Sequence, residues 1–247
     1  MTARRHPIAA LLGGAALLFA LPADFAASQA GMRQTSSYTL TEKRPDRSTA
    51  ERFRFDYVNP DDPDGKPRAV RRVVTLLPHT ARYDPTAPGS CTASDEELTA
   101  RGAEACPADS VIGGGVVTID TGLPGSARIV TADVVFFNNA HDPKGEFIYL
   151  NTVRGSGART VIRADVTLRK TITDAGMLPG TPPEGGAIDT VDFEVANVSR
   201  VVDGKRRHYI TTPKRCPAER RWTAKVSFSY EDGVTQTVPT TSRCTRP

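Results

Sequence analysis

Apolar and polar residues alternate with a period of two along several stretches of the chain. Residues 52–57 read Arg-Phe-Arg-Phe-Asp-Tyr, and residues 222–230 place one Trp, one Ala, one Val, one Phe and one Tyr on a single side of an extended chain. A period of two is typical of a β-strand that buries one face and exposes the other. Both stretches are therefore predicted to be strands with apolar inner faces.

Further β-rich stretches follow at short intervals, separated by turns rich in Gly, Pro, Asn and Asp. They cover residues 70–77, 116–120, 127–137, 147–153, 160–168, 191–195, 208–210 and 234–238. The stretch 70–77 follows a loop rich in Asp, Pro and Gly and is predicted to form a hairpin with residues 52–57. One short helix is predicted to begin after Ser94, because Ser94 and Glu97 have the spacing of a capping box, and to end at Gly102. About ten short strands with one helix predict an all-β protein, and the pattern favours an antiparallel β-sandwich.

The first 30 residues have the layout of a secretory signal peptide. Arg4 and Arg5 precede an apolar run over residues 8–21, and small residues at 28 and 30 supply a cleavage site. Cleavage is predicted after Ala30, and a retained signal anchor is the alternative. Beyond this segment no run of roughly 18 apolar residues remains, so no membrane span is expected after cleavage.

The rest of the chain, residues 31–247, is predicted to form a single β-sandwich domain. Its hydrophobic content is sufficient for a core, with 38% apolar and 24% charged residues in the whole chain. Residues 177–186 contain three Pro and three Gly. If the domain has two parts, this segment is where they would divide.

Four cysteines lie after the predicted signal, namely Cys91, Cys106, Cys216 and Cys244. An even number of cysteines in an exported chain predicts two disulfides and a secreted, extracellular or cell-surface location. Three pairings are formally open, and sequence proximity favours Cys91–Cys106 and Cys216–Cys244. A loop of 15 residues closed in this way contributes roughly 3 kcal/mol in the chain-entropy model. Zinc is the alternative, although the spacing of zinc-binding motifs is missing.

Basic residues are concentrated at the C-terminal end of the chain. The formal net charge is +4, yet residues 201–247 alone contain ten Lys or Arg and four Asp or Glu. Such asymmetry can mark contact with a polyanion. An anionic cell-wall polymer or envelope surface is therefore a candidate partner, whereas export and the lack of an aromatic row on the polar face disfavour nucleic acid. The candidate anion-binding residues are Lys205, Arg206, Arg207, Lys214, Arg215, Arg220 and Arg221.

This basic segment has a second interpretation. Solvated strand faces and edge strands often carry Lys and Arg, because these charges prevent one sheet from pairing with another. The charges here are interspersed with the strand periodicity. Both interpretations stay open on the sequence alone.

The sequence carries few catalytic signatures. It has no G-x-S-x-G elbow around a serine and no P-loop. The three histidines beyond the signal, His79, His141 and His208, lie in different segments. No catalytic residue or cofactor is assigned. The prediction is a non-enzymatic binding or cell-envelope-associated module, with an extracellular hydrolase built on a dispersed His/Asp site as the alternative.

Three aspartates in one turn, Asp61, Asp62 and Asp64, are a calcium candidate because hard oxygen ligands suit that ion. The EF-hand pattern fails here, since Pro60 stands at the first ligand position and Arg71 at the twelfth. A solvated acidic turn is the alternative interpretation.

Two groups of short motifs carry a resemblance to known sequences. Residues 91–115 read C-x14-C-P-A-D-S-V-I-G-G-G, and residues 212–244 combine T-P-K-R-C-P, R-W-T, Y-E-D-G and S-R-C. Together they resemble a group of uncharacterised secreted actinobacterial proteins, in which a Cys-Pro-x-x-Ser-x-x-Gly segment is followed by a late Cys pair around a Trp-containing strand. The resemblance implies a secreted, disulfide-linked β-domain, and it implies no activity or catalytic residue.

Overall fold

Strands account for most of the computed structural model, which describes residues 31–141, 144–176, 178, 180 and 185–246. The predicted signal peptide and most of residues 177–184 therefore lie outside the described residues. The strands are β1 (Gln34–Leu40), β2 (Glu51–Tyr57), β3 (Val70–Leu76), β4 (Arg82–Tyr83), β5 (Val111–Asp120), β6 (Ile129–His141), β7 (Lys144–Val153), β8 (Arg159–Val166), β9 (Lys170–Asp174), β10 (Ala187–Val195), β11 (Ser199–Val202), β12 (Lys205–His208), β13 (Ile210–Thr211), β14 (Arg221–Tyr230) and β15 (Thr235–Arg243). The helix α1 is Asp95–Arg101, and 3₁₀ helices cover Gly102–Ala105, Ala108–Ser110 and Gly125–Ala127.

Eleven strands pair into one continuous antiparallel sheet in the order β1-β2-β10-β5-β6-β7-β8-β9-β3-β14-β15. Two further pairs, β11–β12 and β4–β13, form small separate sheets. The all-β, antiparallel class with one short helix is confirmed. The strand order does not correspond to the predicted sandwich, because a sandwich needs two main sheets. This chain builds one main sheet, which curves into a nearly closed, barrel-like shape.

Side chains join the first and last strands of the sheet. The backbone N–H of Leu40 on β1 donates to Ser242 Oγ on β15 at 2.9 Å, and that of Arg33 donates to Gln236 Oε1 at 3.0 Å. The Arg33 guanidinium also forms a bidentate ion pair with Asp232, with both N···O distances 2.7 Å. The sheet is therefore closed at this seam by side-chain contacts, and not by a further backbone ladder.

The alternation read from the sequence sets the inner face of the sheet. On β14 the residues from Trp222 to Tyr230 alternate as expected, and the five apolar ones are buried. Phe55 of β2 meets Phe228 of β14 across the interior, with ring centroids 5.1 Å apart and an interplanar angle of 89°. Such edge-to-face pairs are a favourable aromatic arrangement. They connect strands that are far apart in the sheet order, which is how the curvature creates one core.

The two ends of the curved sheet differ. At one end, here called the base, β4 and β13 cover the start of β2, so that Glu51, Tyr83 and Tyr209 are buried. At the other end, here called the mouth, the inward residues Ile119 and Ile188 are only half-buried. The base is therefore sealed, whereas these inward side chains at the mouth are partly accessible to solvent.

Helix α1 packs on the outside of the sheet. Ser94 and Glu97 form the predicted capping box, and Gly102 ends the helix with a φ of 70°. Leu98 is buried against the outward residues Phe137 and Ile148 of β6 and β7. The disulfide between Cys91 and Cys106 closes this helical loop, with a sequence separation of 15.

One predicted pairing is wrong. The stretch 52–57 was expected to form a hairpin with residues 70–77, but β2 pairs with β1 and β10, while β3 pairs with β9 and β14. The intervening loop runs along the mouth between distant parts of the sheet. Periodicity identifies strands and their buried faces, whereas partner choice depends on non-local packing that periodicity does not encode.

Candidate functional site

Two arginines face each other at the base of the sheet. Arg221 begins β14, Arg243 ends β15, and the register places them directly opposite one another. Both are exposed, and no described carboxylate forms an ion pair with either. Like charges directly opposite each other in an antiparallel pair are destabilising. This position therefore concentrates positive charge without compensation.

Three other arginines on or beside the same sheet are compensated. Arg52 forms an ion pair with Glu194 at 2.6 Å, Arg72 with Asp174 at 2.6 Å, and Arg154 with Asp133 at 2.6 Å. Exposed pairs of this kind contribute little to stability, but they neutralise the local field. The absence of such a partner therefore distinguishes Arg221 and Arg243 from these three arginines.

A groove of about 710 Å³ adjoins Arg221. Lys214 and Arg215 bring two more cations to it, and His79 and Trp222 line it as well. No described acid pairs with Lys214 or Arg215. We name Lys214, Arg215, Arg221 and Arg243 the basic cluster. It brings four cationic side chains to one side of the base.

The chain around the basic cluster is held in place by several contacts. A disulfide joins Cys216 to Cys244, with a sequence separation of 28, and so links the groove loop to the end of β15. Trp222 is buried, and its Nε1–H donates to the Arg215 carbonyl at 2.8 Å. The Lys214 N–H donates to Thr80 Oγ1 at 3.0 Å. The backbone of the loop is therefore fixed while its charged side chains extend into water.

The structure divides the predicted anion-binding residues into two groups. Lys214, Arg215 and Arg221 line the groove together, and Arg220 lies beside them in the chain. Lys205, Arg206 and Arg207 lie on β12, in the separate β11–β12 hairpin. Arg207 donates to Thr86 Oγ1 at 2.6 Å, which ties this hairpin to another loop. The groove group is the better formed of the two.

Arg243 is the member of the basic cluster that residue types alone do not single out. Its position follows from the turn at residues 231–234, because counting back from this turn along both strands puts Arg243 opposite Arg221. The sequence signal for Arg243 is therefore the register of the β14–β15 hairpin. Using this signal requires the turn residues to be assigned correctly.

The histidines do not meet in a catalytic arrangement among the described residues. His79 lines the groove, while His208 contacts Ser199, with 2.7 Å between Nδ1 and Oγ. No described carboxylate contacts His208 to orient it, and both members of the Ser199–His208 pair lie on an exposed hairpin. The side chain of His141 lies outside the described residues.

The acidic turn at residues 61–64 is engaged in other contacts. Asp61 forms an ion pair with Arg68 at 2.7 Å, and the Asp64 carbonyl accepts a hydrogen bond from Arg128 at 2.8 Å. Within the described part of the chain, no three acidic, histidine or cysteine side chains are grouped to hold a metal ion. The calcium site stays a prediction, and no group of ligands among the described residues supports it.

The interior of the sheet contains a cavity of about 100 Å³ with one buried carboxyl group. Glu51 is 2% exposed and accepts hydrogen bonds from the Tyr38 hydroxyl at 2.7 Å and from the Tyr83 hydroxyl at 2.9 Å and 3.0 Å. Burial raises the pKa of Glu51 to about 7, and the two tyrosine hydrogen bonds only partly oppose this. Sequence reasoning missed Glu51. Its position two residues before Phe53 assigns it to the inner face, because alternate residues of a strand lie on the same side.

Comparisons with known proteins do not assign the chain to a family. No protein family, no curated protein and no solved structure matches it. Among the described residues, no helix has both the length and the apolar character that crossing a membrane would require. The two disulfides are typical of an oxidising, extracellular environment.

Proposed function

We propose that this chain is a secreted, non-enzymatic binding module that attaches to an anionic polymer of the cell envelope through the basic cluster. The observation that carries the proposal is the unpaired, directly opposed pair of Arg221 and Arg243. An anion lying between the two guanidinium groups relieves their repulsion and accepts charge-assisted hydrogen bonds from both. Lys214 and Arg215 extend the same contact along the groove.

The polymer chemistry follows from the residue types. Arginine forms paired hydrogen bonds with phosphate and carboxylate groups, whereas lysine acts as a point charge that tolerates many geometries. Three cations that line an open groove, with Arg243 opposite one of them, suit a chain of repeating anionic groups better than one small anion. Phosphate-bearing and uronate-bearing glycopolymers both fit this description.

Secretion and the family resemblance complete the proposal. Two disulfides stabilise a domain that meets an oxidising environment, and the signal-like residues 1–30 provide the route there. The Cys-Pro-x-x-Ser-x-x-Gly segment and the late Cys pair fit the resemblance to secreted actinobacterial β-domain proteins. We retain that relationship as part of the proposal.

The experiment measures binding to soluble polyanions in a salt series. Long-chain polyphosphate and polygalacturonate are titrated into the wild type and into the Arg221→Gln/Arg243→Gln variant. We expect about tenfold weaker binding by the variant at low salt, because two charge-assisted contacts are lost from an exposed site. Binding by the wild type should weaken as salt rises, since exposed charges are screened.

The matched control removes two charges elsewhere on the sheet. Arg72→Gln/Arg154→Gln has the same net charge as the test variant, but both of its arginines are ion-paired in the wild type. Equal losses in the two variants would show that net charge alone drives binding and would overturn the proposal. Binding only to anionic phospholipid vesicles, with no binding to either polymer, would replace the proposed partner with a lipid surface.

A further inference from the structure

The interior cavity is a second site, separate from the basic cluster. Aromatic rings form a large part of its wall, including Phe53, Phe55, Tyr57, Phe147, Tyr149 and Phe193. The rings of Phe53 and Phe193 meet edge to face with centroids 5.5 Å apart. Ring faces have a negative quadrupole, so a cavity walled by such rings attracts cations as well as apolar groups.

The charge in this cavity has only one sign. Glu51 lines it, whereas no Lys, Arg or His belongs to the described residues of its wall. The partners of Glu51 are the hydroxyls of Tyr38 and Tyr83, which are neutral donors. A carboxylate has about four lone-pair sites, so two donors leave acceptor capacity. The buried carboxyl group therefore lacks a cationic partner.

Burying a carboxylate without such a partner is unfavourable. The raised pKa of Glu51 agrees with this, because burial is its largest cause and no cation opposes it. A ligand that brings a positive charge would supply the missing partner. A ligand with a carboxylate of its own would instead meet a like charge in a site that holds no cation.

We propose that the cavity binds a small organic monoamine, with its ammonium group against the Glu51 carboxylate and its apolar body among the aromatic rings. The volume limits the size of the ligand. An apolar cavity of roughly 150 Å³ accepts benzene, so in about 100 Å³ a body of one ring fits only if the half-buried wall at the mouth moves outward. Half-buried lining residues such as Ile162 and Ile188 provide access from the mouth.

The experiment uses four ligands that share one ring and differ in the attached group, namely benzylamine, benzyl alcohol, toluene and benzoate. Each is titrated into the full mature chain at about pH 8, where Glu51 is ionised, and binding is followed by shifts of the aromatic and methyl NMR signals. We expect benzylamine to bind at least about tenfold more tightly than benzyl alcohol or toluene, and benzoate to bind most weakly.

Variants assign the preference to Glu51. Glu51→Gln keeps the size of the side chain and removes its charge, so the preference for benzylamine should vanish while toluene binding persists. Glu194→Gln is the control, because Glu194 lies on the outer face of the sheet and pairs with Arg52. If Glu51→Gln does not fold, the same question is answered in the wild type at about pH 5, where protonation of Glu51 should remove the preference.

Three results would overturn the inference. Equal binding of benzylamine and benzyl alcohol would show that the carboxylate does not select the ligand. A preference that survives in Glu51→Gln would place the selecting group elsewhere. Failure of all four ligands to bind would show that the cavity is a packing void. None of these results bears on the basic cluster, because polyanion binding is measured at the other site with other variants.

Discussion

Arg221 and Arg243 lie directly opposite each other across β14 and β15, and no described carboxylate pairs with either. This arrangement is unfavourable in the free protein, because like charges opposed in an antiparallel pair destabilise it by a few tenths to about 1 kcal/mol. A partner that carries negative charge reverses the sign of the interaction. The pair is therefore the most direct link between local structure and the proposed function.

A charge swap at this pair should stabilise the free protein. Arg243→Glu places an acid opposite Arg221, so we expect the free energy of unfolding to rise by about 0.5 kcal/mol in low-salt urea denaturation. The double variant Arg221→Glu/Arg243→Glu should lose this gain, since it restores a like-charge pair. A destabilised Arg243→Glu would mean that the two side chains do not repel each other.

The two disulfides should differ in their effect on polyanion binding. In the chain-entropy model Cys91→Ser/Cys106→Ser should lower stability by about 3 kcal/mol, and Cys216→Ser/Cys244→Ser, which opens a longer loop, by about 3.6 kcal/mol. Only the Cys216–Cys244 pair holds the groove loop to β15, so only its loss should weaken polyphosphate binding. Equal binding by both folded variants would show that the groove does not need this bridge.

Stability should fall as pH rises between about 4.5 and 7, because of Glu51. Burial raises the pKa of Glu51 from 4.5 to about 7, so in this window the folded protein keeps a proton that the unfolded chain has released. The unfolded state binds fewer protons, and the free energy of unfolding therefore decreases with pH, by on the order of 3 kcal/mol in total.

The difference between wild type and Glu51→Gln isolates this effect in urea denaturation at several pH values. Glu42 and Asp232, whose pKa values are lowered to about 2 by contacts with Arg44 and Arg33, contribute at lower pH and in both proteins. A pH-independent difference between the two proteins would contradict the assignment to Glu51.

Much of the strand pattern could be read from the sequence, and the reason is local. Along β14 the inner and outer residues follow from a period of two, and the capping box of α1 follows from Ser94 and Glu97. The two short-range cysteine pairs also form as sequence proximity favours. These features depend on neighbours in the chain, which a single sequence displays.

The single curved sheet could not be read in the same way. It requires β10 to insert between β2 and β5, and β3 to pair with β9 and β14, although these strands are far apart in the chain. The alternation along β2 is a partial clue to the cavity, since it puts Glu51 on the same face of the strand as Phe53 and Phe55. The approach of Tyr38 and Tyr83 to the Glu51 carboxyl group could not be predicted from this alternation.

The glycine run on β5 should be sensitive to a single methyl group. A Cβ on Gly115 would lie 2.1 Å from the Asp192 carbonyl oxygen and 2.7 Å from the Phe193 ring. We expect Gly115→Ala to lower the free energy of unfolding by about 3 kcal/mol through overpacking. Gly155→Ala is the control, because its φ of +86° costs about 1 kcal/mol but its Cβ meets no atom within 4 Å. Equal losses would contradict close packing at Gly115.

The melting temperature of the wild type and of Arg221→Gln/Arg243→Gln, each with and without polyphosphate, tests the central claim most directly. A ligand that binds the folded state raises the melting temperature, and the rise increases with the affinity and the concentration of the ligand. Without polymer, the variant should melt at or slightly above the wild-type temperature, and polymer should raise the melting temperature of the wild type much more than that of the variant. An equal rise in both proteins, or none in the wild type, would contradict anion binding at the Arg221–Arg243 pair.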